Sequence, residues 1–323
     1  MPMHQVDIGQ ETTSLNAHKV RIHTLSVVFF WCLTGCVLIA GESPERTDKL
    51  VAAVEKGALD QLESLLASAS TAEAVEARDA KGRSLLMLAA LRGDLAVTKF
   101  LVAKGAAVDE QCRHASGNRV LHYAADSGNR ELAEFLIDHG APVNGRARNG
   151  TTALNIAASR GHLEVARLLL DRGADPNQYA YRNEFFNVFT PLLTAALEGK
   201  LPMMELLCSR GARLEQRENR GSTVLMEAAK ASHPEVVKWL IQKGAKVNAI
   251  GPQGHTALIY AAYNGRTENI KLLLAAGADP FAEATDAVYP DEDRTYSAAK
   301  LAQQQNHPDA LALILEAQRR LRP

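Results

Sequence analysis

Cys112 and Cys208 lie far apart in the body of the chain, while Cys32 and Cys36 sit inside an apolar N-terminal run. No two thiols stand at the C-x-x-C spacing that holds a metal, and the set resembles no disulfide framework. Asp286, Asp291, Glu292 and Asp293 offer oxygen donors to a hard cation, but they lack the ligand order and turn glycine of a calcium loop. No nucleophile–base pair, phosphate-cradling glycine loop or His-rich metal spacing falls outside a recurrent pattern that already accounts for those residues. The expectation is therefore no catalytic, metal or cofactor site. What stands out chemically is Tyr179-Ala-Tyr-Arg-Asn-Glu-Phe-Phe-Asn-Val-Phe189, with five aromatics in eleven residues. Exposed aromatics of this kind anchor protein partners.

The elements that must carry such a segment follow from the bulk of the chain. Its 323 residues are 46% hydrophobic, enough to bury a large core, and the low 5% of aromatics beside abundant Ala and Leu favours helices. Lys plus Arg number 36 against 37 Asp plus Glu, so no overall field draws nucleic acid or an anionic membrane surface. Charge-based recognition has to be local.

One pattern recurs at about 33 residues, anchored on an Ala-Ala pair. The copies are Gly82-Arg-Ser-Leu-Leu-Met-Leu-Ala-Ala90, Gly117-Asn-Arg-Val-Leu-His-Tyr-Ala-Ala125, Gly150-Thr-Thr-Ala-Leu-Asn-Ile-Ala-Ala158, Val188-Phe-Thr-Pro-Leu-Leu-Thr-Ala-Ala196, Gly221-Ser-Thr-Val-Leu-Met-Glu-Ala-Ala229 and Gly254-His-Thr-Ala-Leu-Ile-Tyr-Ala-Ala262. Each continues into a second amphipathic block such as Leu163 to Leu170, whose apolar positions mark a broad buried helix face. Small Ala pairs let neighbouring helices approach, and a lone unit could not bury that face. These copies resemble the ankyrin G-x-T-P-L-H-x-A-A signature. The resemblance implies an all-α ankyrin-repeat solenoid of helix-turn-helix units with β-turn fingers. Residues 42–323 would form it, with a degenerate cap over 48–78, six full repeats over about 79–281 and a closing cap over about 293–319. Residues 1–41 are a separate leading segment.

Two spacings exceed the period. Five residues too many separate Gly150 from Val188, and they belong to the aromatic finger. Tyr179, Tyr181, Phe185 and Phe186 either dock a partner or fold back over the gap left where Val188 replaces a glycine. The second excess, about eight residues within Phe281 to Arg294, is acidic and reads as a solvated loop. The resemblance implies docking at finger tips and at positions just after the Ala-Ala pairs. Those positions hold Arg83, Arg92, Arg113, Arg148, Arg160, Arg220, Lys230 and Tyr263, a locally basic strip suited to a protein with acidic and apolar surface. The alternative for each is an ordinary solvated charge. His122 takes the motif histidine's structural role, Trp239 belongs to the core, and Cys112 and Cys208 are free thiols. At about 10 Å per helix layer, two thiols nearly three repeats apart cannot meet the ~7 Å limit for a bridge.

Thr24 to Gly41 is uncharged and mostly apolar, with Lys19 and Arg21 before it and Glu42 and Glu45 after it, the layout of an export signal. Leu33-Thr34-Gly35-Cys36 resembles a bacterial lipobox, which would lipidate Cys36. Cleavage after Ala40 and retention as an uncleaved anchor are the other two fates, since the run is just long enough for a bilayer of about 30 Å. A start nearer Val20 would give the usual short basic region. The expectation is a non-enzymatic periplasmic protein that binds protein partners, touches membrane through its N-terminal segment alone, and takes no cofactor and no nucleic acid. It would support an oxidative-stress enzyme or neutralise a secreted toxin.

Overall fold

A threonine starts the first helix in four of the six full repeats. In the computed structural model, which describes residues 44–67, 74–113, 116–181, 188–217, 221–285 and 295–321, the hydroxyls of Thr152, Thr190, Thr223 and Thr256 accept the backbone N–H three residues on, at 3.2–3.4 Å. Ser84 and Ser297 do the same in the first full repeat and the closing one. Each cap satisfies a donor the helix itself cannot, which is worth about 1 kcal/mol.

The helices come in pairs: α1 (Pro44–Lys56) with α2 (Leu59–Ala67), α3 (Leu85–Arg92) with α4 (Leu95–Ala103), α5 (Val120–Ser127) with α6 (Arg130–Asp138), and α7 (Ala153–Arg160) with α8 (Leu163–Asp171). Then follow α9 (Pro191–Leu197) with α10 (Leu201–Ser209), α11 (Val224–Lys230) with α12 (Pro234–Gln242), α13 (Ala257–Tyr263) with α14 (Thr267–Ala275), and α15 (Ala298–Gln304) with α16 (Pro308–Leu321). The first member of every pair packs against the first member of the next, making a continuous inner row. That row is possible because the paired alanines, from Ala89 and Ala90 to Ala261 and Ala262, are wholly buried at the contact. Leucines such as Leu121, Leu154 and Leu225 fill the layers between them. Trp239 is buried, as expected of a core residue. The result is the ankyrin-type solenoid, with α1 beginning slightly before and α16 ending slightly after the expected caps.

Two short hairpins interrupt the helices. β1 (Ala180–Tyr181) pairs antiparallel with β2 (Val188–Phe189), and β3 (Glu283–Thr285) with β4 (Thr295–Ser297). The ends of the acidic insertion are thus paired strands where a solvated loop was expected. Thr285, Thr295 and Tyr296 favour extended backbone, and Ala284 between them is fully buried.

Neighbouring units are also stitched by side-chain amides. Asn144 donates Nδ2–H to the Gly173 carbonyl and accepts the Asp175 N–H on Oδ1, both at 2.9 Å. Asn177 does the same to Gly211 and Arg213, and Asn248 to Gly277 and Asp279. A related bond repairs an irregular helix end. α7 closes on Gly161 in the left-handed region, whereas α11 runs into Ala231 in extended backbone. The buried Asn269 of the next unit donates to the Ala229 and Ala231 carbonyls at 3.1 and 2.9 Å, and Arg266 donates to that of Lys230 at 2.9 Å.

Candidate partner-binding surface

On each inner helix the residue before the Ala-Ala pair and the one after it are three apart, so they share a face. The rows read Tyr123 and Asp126, Ile156 and Ser159, Thr194 and Leu197, Glu227 and Lys230, Tyr260 and Tyr263. Lateral contacts tie two neighbouring pairs of units. Asp126 meets Arg160 of the next unit at 2.5 Å. Lys230 meets Glu227 at 2.5 Å and lies 4.1 Å from the centroid of the Tyr260 ring, on which His255 stacks at 5.1 Å.

These contacts change the basic strip expected from sequence. Arg83 is half-buried and locked to Asp79, with Nε to Oδ2 at 2.7 Å. Arg92 donates to the Glu55 carbonyl. Arg160 and Lys230 are ion-paired as just described. Arg113 and Arg148 are exposed, and the stem of Arg148 lies close over Gly117. Arg220 lies outside the described residues. Much of the expected positive charge is therefore committed within the repeat stack. Further arginines act as staples between fingers: Arg146 donates to the Tyr179 carbonyl at 3.3 Å, and Arg217 to that of Ile250 at 2.8 Å.

Among the expected aromatic anchors, Tyr179 is 38% exposed and Tyr263 48%. Tyr181 contributes backbone pairing to Val188. Phe185 and Phe186 lie outside the described residues, as do Cys32, Cys36 and the carboxylates at 286–293. Phe189 is half-buried and packs on the core, so the foot of the finger covers the repeat stack while Tyr179 faces solvent.

Cys112 is buried, with Sγ 3.5 Å from the Gly82 carbonyl oxygen, and Cys208 is half-buried; both are free thiols. Burial, with a smaller opposing effect of Lys243, pushes the Cys208 thiol above its ordinary pKa, away from reactivity. Sequence reasoning missed Tyr123. Its ring is buried at a face position, and burial and hydrogen bonding to Cys112 hold its phenol well above the usual range.

His122 has the structural role expected of it. Nδ1 accepts the Arg119 N–H at 3.0 Å, which leaves the proton on Nε2 to donate to the Thr151 carbonyl at 2.8 Å. Burial is the main cause of its lowered pKa. The unfolded chain then takes up this proton before the folded one, so the stability this residue gives is complete above its ordinary 6.5 and declines as pH falls below it. Urea unfolding of wild type and His122→Gln should differ by a constant amount above that pH. The difference should shrink by up to about 1.4 kcal/mol per pH unit below it; a pH-independent difference would contradict the assignment.

Among the described residues no helix is long and apolar enough to cross a membrane. A family model for ankyrin repeats (3 copies) matches residues 50–147, 86–180 and 180–251, and one for ankyrin repeats (many copies) matches 225–281. The crystal structure of the human ASB11 ankyrin-repeat domain is similar, with TM-score 0.61 and 29% sequence identity over 72% of this chain and 98% of that one. A search of curated proteins gave no match.

Proposed function

This chain belongs to the ankyrin-repeat family, whose members are generally protein–protein interaction scaffolds, and from that premise we propose that it is an exported scaffold clamping a protein partner against its inner helices and fingers. The observation that carries this reading is the inner face itself. Side chains from five consecutive units line one face, bonded laterally from Asp126 to Arg160 and from Lys230 to Tyr260, and the rings of Tyr179 and Tyr263 are exposed. Tyrosine gives large contact area at small entropic cost, which is why it recurs among the residues that dominate interfaces. With Arg83, Arg92, Arg160 and Lys230 internally engaged, the partner needs apolar and hydrogen-bonding surface more than a strongly acidic one.

Export rests on the charge-flanked apolar segment Thr24 to Gly41, and Cys36 is the residue that would carry a lipid. A periplasmic scaffold has two natural employments, holding an oxidative-stress enzyme or blocking an incoming toxin. The fold serves either without chemistry of its own.

Cross-linking the tagged full chain in intact Gram-negative cells, followed by fractionation, tests the reading. A specific partner should be recovered from the envelope fraction, and Tyr179→Ala with Tyr263→Ala should weaken the purified complex by about 2 kcal/mol, roughly thirtyfold. Equal recovery by the double variant would remove the inner face as the docking site, and recovery from the cytoplasm would remove export.

A further inference from the structure

A cleft of about 240 Å³ opens on the inner face at the foot of the β1–β2 hairpin, between α7 and α9, and Asn155, Ile156, Ser159, Phe189, Thr194 and Glu198 are among its lining. One part of its wall differs from the preceding unit. Where the preceding unit has His122 reaching the Thr151 carbonyl, this unit has Asn155, which is shorter. The position equivalent to Thr151 in the next unit is Phe189, displaced in sequence by the aromatic insertion.

The polar groups around it are unevenly satisfied. Asn155 is 5% exposed, and its Oδ1 accepts from both the N–H and the hydroxyl of Thr152, at 3.0 and 2.8 Å. A backbone N–H can only donate, so the oxygen must face Thr152 and the nitrogen must face away from it. That nitrogen, Nδ2, is buried and has no hydrogen-bond partner among the described residues. Native folds rarely leave a buried donor in that state. Thr194 donates its hydroxyl to the Thr190 carbonyl and keeps its lone pairs. Glu198 is exposed, and among the described residues its carboxylate makes no ion pair.

We propose that this cleft receives a glutamine or asparagine side chain of the protein partner, whose carbonyl oxygen accepts from Asn155 Nδ2 while its NH2 donates to Glu198. A carboxamide matches the inner donor and the outer acceptor at once. A carboxylate would satisfy Asn155 but face Glu198 with like charge, and an ammonium group would leave Asn155 unpaired. The size agrees, since the cleft falls below the about 300–1,000 Å³ of small-molecule sites and suits a single side chain. Nδ2 is closed to bulk solvent, so an occupant has to wedge into the cleft to reach it.

The inference rests on the protein-binding reading but can be tested without any partner. N-acetylglutamine methylamide and N-acetylglutamate methylamide are titrated into the labelled full chain while the Asn155 side-chain NH2 resonances are followed, identified by their loss in Asn155→His. The glutamine probe should shift these resonances saturably in the millimolar range, with the glutamate probe at least about tenfold weaker. Asn155→His refills the cleft with the imidazole that the fold accepts at His122, and should abolish the response of the neighbouring Thr194 amide. Glu198→Gln, at an exposed position, should make the two probes equivalent. Absence of a saturable shift, equal response to both probes in the wild type, or a Thr194 response surviving in Asn155→His would each overturn the proposal. Partner capture through Tyr179 and Tyr263 would stand unaffected by any of them.

Discussion

Replacing Asn269 with Leu is expected to lower the unfolding free energy by about 2–4 kcal/mol, because two carbonyls at the end of α11 lose their donor in a buried setting where each unmet partner costs about 1–3 kcal/mol. Leu keeps the branched heavy-atom skeleton of Asn, so no cavity opens, and its better helix propensity opposes the expected loss. Hydrogen exchange should locate the damage in α11 to α14 and leave α3 to α6 near their original protection, since stacked units communicate only with their neighbours. Uniform loss of protection along the chain, or destabilisation below about 0.5 kcal/mol, would show that the helix end does not depend on this amide.

The second large effect is expected at Gly254. It has φ +85°, and a Cβ there would sit 2.9 Å from the Glu283 carbonyl oxygen and 3.1 Å from the Ala284 Cα, both backbone atoms that cannot swing aside. Gly244 also has φ +85° but would place its Cβ in open space. Gly244→Ala should therefore cost only the left-handed penalty of about 1–2 kcal/mol. Gly254→Ala should add an overpacking cost of about 1–3 kcal/mol and loosen the β3–β4 hairpin that it touches. Thermal unfolding of the pair separates the two causes, and equal losses would mean that β3 moves aside freely.

Most of the fold was legible because its determinants are local and repeated. The Ala-Ala contacts are visible in all six 33-residue windows, and a threonine at the helix start in four of them. Less legible were features that arise between windows. Arg160 and Asp126 are 34 residues apart and meet only because the units stack, so Arg160 read as a docking residue or a solvated charge and its partner went unseen. Arg146 and Arg217 also lie in fingers, and each donates to a carbonyl of the following finger. Asn155 could be seen as a departure from the motif histidine. That it leaves an unmatched donor depends on Phe189, whose position is set by the insertion and its hairpin. Asn269 gives no such signal, because the irregular helix end that it caps, with Ser232 where the other full repeats have glycine, includes the Ala231 carbonyl 38 residues earlier.

The amide stitches of Asn144, Asn177 and Asn248 span 29–36 residues, and each ends on the adjacent unit. Among the described residues these amide fasteners join only neighbouring units, which sets how the stack responds to tension applied at its ends. It would yield by peeling, surrendering one unit after another from a terminus, each releasing about 33 residues or roughly 110 Å of slack. A partner laid along the inner face would bridge several of these layers and resist that peeling, so the scaffold would grip hardest when it is itself being gripped.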